Sequence, residues 1–142
     1  EVVTASKKVG TCTDKEGGTT EATVSIEDVN VSNYDAVVFV GGSGARNYQH
    51  DVQAHLTAQE ALNRDKVLAA ICIAPTILAY AGVLDGKKAT VHTGDGVADK
   101  TLTEKGATYT GESVTVDGKI VTANGPEAAE EFAKKVLEVL KR

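Results

Sequence analysis

The residues of this chain that could carry out nucleophilic chemistry are its two cysteines, Cys12 and Cys72. Cys72 directly follows an apolar run at residues 67–71 and directly precedes a helical pattern at residues 74–81. A cysteine at such a strand-to-helix turn is exposed at the end of a sheet, like the nucleophile elbow of serine hydrolases. The helix that follows supplies partial positive charge, which favours the reactive thiolate. Cys72 is therefore a candidate nucleophile, and the alternative is a buried structural thiol.

A pair of glycines, Gly41 and Gly42, ends a second apolar run at residues 36–40. Functional groups of open α/β sheets gather at the carboxyl ends of strands, so we expect this pair beside Cys72. Glycine lets the backbone approach closely, and the N–H groups of Gly42 and Ile73 could then form an oxyanion hole. The alternative is a simple tight turn. The spacing excludes a phosphate-binding loop, because the third glycine of the dinucleotide fingerprint and a Gly-Lys-Ser/Thr sequence are both missing.

His92 is the candidate acid–base partner of the cysteine. It ends the short β-rich run at residues 88–92, on the same sheet edge as Cys72 if the sheet is parallel there. Histidine near a thiol can hold it as thiolate and move protons at neutral pH. The alternative is a histidine in a loop that faces solvent.

The other polar residues do not predict a site. His50 and His55 are five residues apart, so they do not share a helix face as a metal-binding pair would. Cys12 lies in a polar stretch without a strand-to-helix turn, and we interpret it as structural. Asp95 and Asp99 are too few to ligate calcium. The sequence therefore predicts neither a metal site nor a cofactor.

The elements that must position these residues follow from alternating β-rich and helical patterns. Strands are predicted at 20–26, 36–40, 67–71 and 88–92, and helices at 51–63, 74–81 and 99–105. The runs at 36–40 and 67–71 are apolar throughout, as expected of strands covered on both faces of a parallel sheet. Asp117-Gly118 predicts a hairpin with a type I′ turn. The last helix, after residue 125, has an apolar stripe of Ala129, Phe132, Ala133, Val136, Leu137 and Leu140. These patterns predict a single α/β domain over residues 1–142 with a mainly parallel sheet.

Length and composition exclude several functional classes. The 142 residues carry 15 Lys+Arg and 20 Asp+Glu, a net charge of −5, which argues against general nucleic-acid binding. No apolar run approaches the ~20 residues of a membrane-spanning helix, and no secretory signal is recognisable. Two cysteines are too few for a disulfide scaffold. A cytoplasmic protein without membrane or nucleic-acid partners is the expectation.

The segment around Cys72 and the upstream glycine pair resemble the PfpI-type intracellular protease and parkinsonism-associated deglycase family, within the class I glutamine amidotransferase-like superfamily. The similarity covers the whole chain and is carried by residues 35–42, 70–75, 84–90, 116–122 and 125–126. It implies a flavodoxin-like three-layer sandwich that forms a homodimer or higher oligomer. It also implies Cys72 as nucleophile or oxidation sensor, with Gly42 and Ile73 as oxyanion-hole donors. Some glyoxalase- or deglycase-like members carry a histidine at the position of His92.

The sequence departs from the family pattern in three places. Members named proteases have histidine directly after the cysteine, where this chain has Ile73. The basic residue of the family's Ser/Thr-Arg-Gly-Pro stretch is replaced by Asn124. The first strand–helix unit, which supplies a glutamate to the cysteine, has no counterpart. A start at Glu1 and the absence of Met fit an N-terminally incomplete domain.

These observations predict a cysteine-dependent enzyme in which Cys72 attacks a small carbonyl substrate, such as a 2-oxoaldehyde or its protein adduct. The resemblance implies that such a protein acts as a glyoxalase or deglycase. One alternative is an intracellular cysteine peptidase of the same family. The other is a non-enzymatic oxidative-stress sensor or chaperone.

Overall fold

The computed structural model describes residues 1–142 and contains ten strands and four α-helices. The strands are β1 (Ala5–Ser6), β2 (Gly10–Thr13), β3 (Thr19–Ala22), β4 (Val24–Ser25), β5 (Ala36–Phe39), β6 (Val67–Ile71), β7 (Lys88–Ala89), β8 (Thr108–Tyr109), β9 (Val114–Asp117) and β10 (Ile120–Ala123). The α-helices are α1 (Val52–Asn63), α2 (Pro75–Tyr80), α3 (Ala98–Glu104) and α4 (Ala129–Leu140). Short 3₁₀ helices cover Ile26–Asp28, Val31–Asn33, Ser43–Tyr48 and Pro126–Ala128.

A four-stranded sheet in the order β5–β6–β10–β9 forms the centre of the fold. β5, β6 and β10 are mutually parallel, and β9 pairs antiparallel with β10. Three further two-stranded pairs, β1–β4, β2–β3 and β7–β8, lie outside this sheet. The predicted α/β fold with a mainly parallel sheet is confirmed.

Two apolar clusters cover the two faces of the central sheet. One face packs against α1 and α2, through residues such as Ala58 and Leu78, and α3 extends this cluster by packing on α2. The other face packs against α4, through Phe132 and Val136. All five residues of β6 are buried, because this strand has neighbours on both sides and helices on both faces. The result is the expected three-layer arrangement.

β5 differs from the prediction that it is covered on both faces. It lies at the edge of the central sheet, where Val38 is 44% and Val40 is 73% exposed. Its apolar composition is shared with the central strand β6, and composition alone does not distinguish a central strand from an edge strand. The prediction was wrong for the face that carries these two valines.

Several element boundaries also differ from the prediction. The strand expected at 20–26 is interrupted between β3 and β4, which pair with different partners. The strand expected at 88–92 is limited to β7. The turn between β9 and β10 consists of Gly118 and Lys119, and only Gly118 has a positive φ, so it is not of type I′. On α4 only Phe132 and Val136 of the predicted apolar stripe are buried, whereas Ala129, Ala133, Leu137 and Leu140 are exposed.

Local sequence signals predicted the positions of α1 and α2 correctly. Asp51 accepts a hydrogen bond from the Ala54 N–H at 3.0 Å and caps α1 as predicted. Pro75 occupies the first turn of α2, where its missing N–H costs no hydrogen bond. None of the helices is long and apolar enough to cross a lipid bilayer.

Candidate functional site

Cys72 lies at the carboxyl end of β6, immediately before α2, in a left-handed backbone conformation with φ of 67°. Its N–H donates to the Ala123 carbonyl at 3.0 Å, and its own carbonyl accepts from the His92 N–H at 2.8 Å. A left-handed conformation costs a non-glycine residue about 1–2 kcal/mol. The side chain is half-buried and is not part of a disulfide. The sharp turn predicted from the sequence is therefore present at Cys72.

Gly41 packs so closely against this turn that no other residue fits. A Cβ atom there would lie 2.7 Å from Cys72 Cβ and 2.9 Å from Ile73 N, and it would clash with the Ile71 carbonyl oxygen. Contacts below 3.0 Å to backbone atoms cannot be relieved by side-chain rotation. The absence of a side chain at this position therefore brings the end of β5 into contact with the elbow.

The predicted oxyanion-hole residues Gly42 and Ile73 flank this contact. Neither the Gly42 N–H nor the Ile73 N–H donates to a backbone carbonyl. The carbonyls of both residues are occupied, since Gly42 accepts from the Ala45 N–H at 3.0 Å and Ile73 accepts from the Thr76 hydroxyl at 2.6 Å. The two backbone segments are thus held in place, while their N–H groups have no backbone partner.

His92 is half-buried, and its imidazole ring lies against two glycines. A Cβ atom on Gly94 would clash with His92 Nε2, and a Cβ atom on Gly125 would lie 4.0 Å from Nδ1. Gly94 therefore leaves space that the ring occupies, whereas a Cβ atom on Gly125 would make only an ordinary van der Waals contact with it. The backbone hydrogen bond from His92 to Cys72 attaches this loop to the elbow. The structure therefore brings the segments that carry Cys72, Gly42, Ile73 and His92 to one edge of the sheet.

An ion pair that the sequence did not predict links two segments that both contact the Cys72 turn. Arg46 Nη2 lies 3.3 Å from Asp95 Oδ2. Asp95 also accepts hydrogen bonds from the N–H groups of Val97 and Ala98, both at 3.0 Å. Burial raises the pKa of Asp95, but these hydrogen bonds and Arg46 outweigh it and hold the pKa below its usual value.

The sequence contains a signal for the role of Asp95 but none for that of Arg46. An aspartate three residues before Ala98, the first residue of α3, is a recognisable capping pattern. Nothing near Arg46 in the sequence indicates its partner, which lies 49 positions away.

The remaining chemically capable side chains lie outside this cluster. Cys12 belongs to the β2–β3 hairpin. The His50 ring packs against Tyr80 with centroids 4.4 Å apart, and His55 Nε2 is 2.6 Å from the Gln49 carbonyl oxygen. No group of three or more His, Cys, Asp or Glu side chains is arranged to hold a metal ion.

The comparisons with known proteins identify the family. Residues 1–139 match the DJ-1/PfpI family. The chain belongs to this family. An uncharacterised protein of Methanocaldococcus jannaschii is 36% identical over 143 residues, covering 100% of this chain and 68% of that protein. A deglycase of Pyrococcus abyssi is 31% identical over 141 residues, covering 99% of this chain and 83% of the deglycase.

Solved structures of family members share the fold. The ThiJ/PfpI domain protein of Brachyspira murdochii has a TM-score of 0.93 and 33% identity, and the match covers 98% of this chain and 79% of that structure. The flavodoxin-like architecture that the resemblance implied is therefore confirmed. The roles of Cys72, Gly42, Ile73 and His92 within the family fold stay predictions, and so does the expected absence of the first strand–helix unit.

Proposed function

We propose that this DJ-1/PfpI family member is an enzyme in which the Cys72 thiolate attacks the carbonyl carbon of a small 2-oxoaldehyde or its protein adduct. The observation that carries the proposal is the strained elbow at Cys72, with φ of 67° and with Gly41 and His92 in direct backbone contact. Backbone strain of this kind persists where surrounding structure enforces it and is concentrated at active sites. The deglycase name of the Pyrococcus abyssi relative supports the same class of substrate.

Each step of the proposed reaction has a group assigned to it. His92 accepts the thiol proton, Sγ forms a bond to the aldehyde carbon, and the carbonyl oxygen becomes an oxyanion. The N–H groups of Gly42 and Ile73 stabilise that negative charge. His92 passes the thiol proton to the oxyanion, which gives a hemithioacetal and leaves the ring neutral again. The neutral ring then moves the hydrogen of the aldehyde carbon, as a proton, to the neighbouring carbonyl carbon. The hemithioacetal hydroxyl proton passes to the neighbouring oxygen, which leaves a thioester of Cys72. The first carbon is oxidised and the second is reduced, and water displaces the thiolate to release a 2-hydroxy acid.

This scheme needs no external oxidant or reductant, because the two redox changes occur within one substrate molecule. The net change is the addition of one water molecule to the 2-oxoaldehyde. The scheme is therefore consistent with the expectation of an enzyme without a cofactor.

A small substrate suits the site better than a peptide does. The residue after the candidate nucleophile is Ile73, which is 3% exposed and apolar. Its side chain cannot accept a proton, so it cannot replace the histidine that protease members carry at this position. A cysteine peptidase of the same family remains the alternative enzyme, with His92 as its base.

The test is the loss of methylglyoxal and the formation of lactate with the purified protein. We expect the Cys72→Ser variant to lose at least 100-fold in kcat/KM, since general-base and nucleophile contributions are typically ~10²–10⁴-fold. Cys12→Ser is the matched control and should keep wild-type activity. His92→Gln should lose activity, whereas His50→Gln should not. Equal rates for the wild type and Cys72→Ser would refute the proposal.

A second candidate function is that of an oxidation sensor, favoured by the partial exposure of the free Cys72 thiol. Accessible reactive thiols are oxidised stepwise to sulfenic and sulfinic acids. Mass spectrometry after mild peroxide treatment should find added oxygen on Cys72 before Cys12. Preferential oxidation of Cys12, which is also partly exposed, would contradict this candidate.

A further inference from the structure

The ion pair between Arg46 and Asp95 connects two segments that each contact the candidate nucleophile. Arg46 belongs to the 3₁₀ helix Ser43–Tyr48, whose N-terminal cap is Gly42. The preceding residue, Gly41, packs directly against Cys72. Arg46 is thus four residues from the Gly42 N–H group to which the proposed function assigns the oxyanion.

Asp95 lies close in the chain to His92, the proposed proton carrier, just as Arg46 lies close to Gly42. It follows His92 by three residues, and Gly94 between them packs against the imidazole ring. Its carboxylate is anchored to the start of α3 by the N–H groups of Val97 and Ala98. A side chain anchored in this way gives Arg46 a fixed partner.

A separate hydrogen-bond chain fixes the far end of the Arg46 segment. Gln49 Nε2 donates to the Thr76 hydroxyl at 2.8 Å, and that hydroxyl donates to the Ile73 carbonyl at 2.6 Å. The segment after Gly42 is therefore tied to the Ile73 side of the elbow through Gln49. Arg46 ties the same segment to the His92 side.

We propose that the Arg46–Asp95 ion pair is a positioning clasp that holds the Gly42 loop and the His92 loop, which both contact the Cys72 elbow, at a fixed separation from each other. The inference rests on the proposed function, because it assigns a role to the distance between the oxyanion donor and the proton carrier. The two residues act through Gly42 and His92 and touch no substrate.

The charges and exposures of the pair fit a positioning role. Arg46 and Asp95 carry opposite charges, and Arg46 Nη2 donates a hydrogen bond to Asp95 Oδ2. The Arg46 side chain is 50% exposed and that of Asp95 is 18% exposed, so salt partly screens the pair. Displacements of about 1 Å in an active site can lower the reaction rate up to ~100-fold. Even a weak ion pair that prevents such a displacement therefore has a measurable effect on kcat.

The experiment compares Arg46→Gln with Arg64→Gln. Arg64 forms an exposed ion pair with Glu60 at 2.7 Å, with side chains 49% and 47% exposed, at the end of α1. Arg64→Gln therefore removes an exposed ion pair but leaves the Gly42 loop and the His92 loop unchanged. With methylglyoxal, Arg46→Gln should lower kcat about tenfold and change KM less than twofold. Arg64→Gln should change neither by more than twofold, and Arg46→Lys should recover most of the loss.

Amide hydrogen exchange supplies a readout that does not depend on catalysis. In Arg46→Gln, residues 92–96 should exchange at least threefold faster than in the wild type, whereas Arg64→Gln should leave them unchanged. Unchanged exchange in Arg46→Gln would overturn the clasp, and so would faster exchange with unaltered kcat. An active Cys72→Ser variant would instead overturn the proposed function, and the exchange result would still decide whether the pair joins the loops.

Discussion

At the scale of single residues, backbone strain distinguishes Cys72. Two non-glycine residues have positive φ, Cys72 at 67° and Asp65 at 58°. Asp65 follows α1, where the Lys66 N–H bonds to the Ala61 carbonyl in the usual C-terminal helix motif. Aspartate adopts this conformation more readily than most non-glycine residues, whereas cysteine has no such preference. The strain at Cys72 is therefore explained by its surroundings and not by its own side chain.

This strain predicts a stability difference between two variants of the same residue. The free energy of unfolding of Cys72→Gly should be about 1 kcal/mol larger than that of Cys72→Ala, because glycine adopts positive φ without steric cost. Urea denaturation of both variants measures the difference. At Cys12, in strand β2, the order should be reversed, since glycine weakens a strand. Equal stabilities at Cys72 would show that the elbow is not strained.

At the scale of elements, the N-terminus of α3 depends on one carboxylate. Asp95 accepts two backbone hydrogen bonds there and pairs with Arg46, and its pKa lies below the usual value despite burial, which raises it. A carboxyl with a lower pKa in the folded state stabilises the protein above its unfolded pKa, near 3.9 for aspartate. That stabilisation disappears as the pH falls through the folded pKa.

We therefore expect a pH-dependent stability difference between the wild type and Asp95→Asn. The wild type should be more stable by a constant amount above about pH 5, and the difference should shrink as the pH falls below about 4. Urea denaturation between pH 3 and 7 measures it. Glu104→Gln, at the other end of α3, is the control. A difference that stays constant down to pH 3 would contradict the assigned contacts of Asp95.

At the scale of the whole chain, β5 is the edge strand of the central sheet and carries exposed apolar side chains. β5 pairs only with β6, and Val38 and Val40 are exposed on the face whose first residue, Ala36, packs against the α4 cluster. Unpaired strand edges with apolar side chains pair readily with other chains. Such an edge needs a covering strand, which the first strand–helix unit of the family fold or a second copy of the chain would supply.

The edge predicts self-association that one charged residue should suppress. Sedimentation of the 142-residue chain should depend on concentration in the micromolar range. Val40→Lys should weaken association at least tenfold, because burying a valine contributes about 1.5–3 kcal/mol and a lysine protects an edge. Val52→Lys is the control, because Val52 is 66% exposed at the start of α1, away from this edge, and the change should not alter association. A monomer at all concentrations would exclude the edge as an interface.

Much of the fold follows from local sequence signals that the structure confirms. The buried strand β6, the Asp51 cap of α1 and the turn at Cys72 each depend on residues close together in the chain. Short-range propensities and caps decide such features, so they can be predicted without the tertiary structure. The exposed face of β5 could not be predicted, because exposure depends on which elements pack against a strand.

The sequence by itself determined that Cys72 ends a buried strand, that glycines precede it at the end of a neighbouring strand, and that the chain is an α/β domain. Only the tertiary structure decided that Gly41 contacts the elbow, that His92 bonds to the Cys72 carbonyl, and that Arg46 pairs with Asp95. The physical reason is the range of the interactions. Turns and caps involve residues a few positions apart, whereas sheet registration brings together the ends of strands that lie tens of residues apart in the chain.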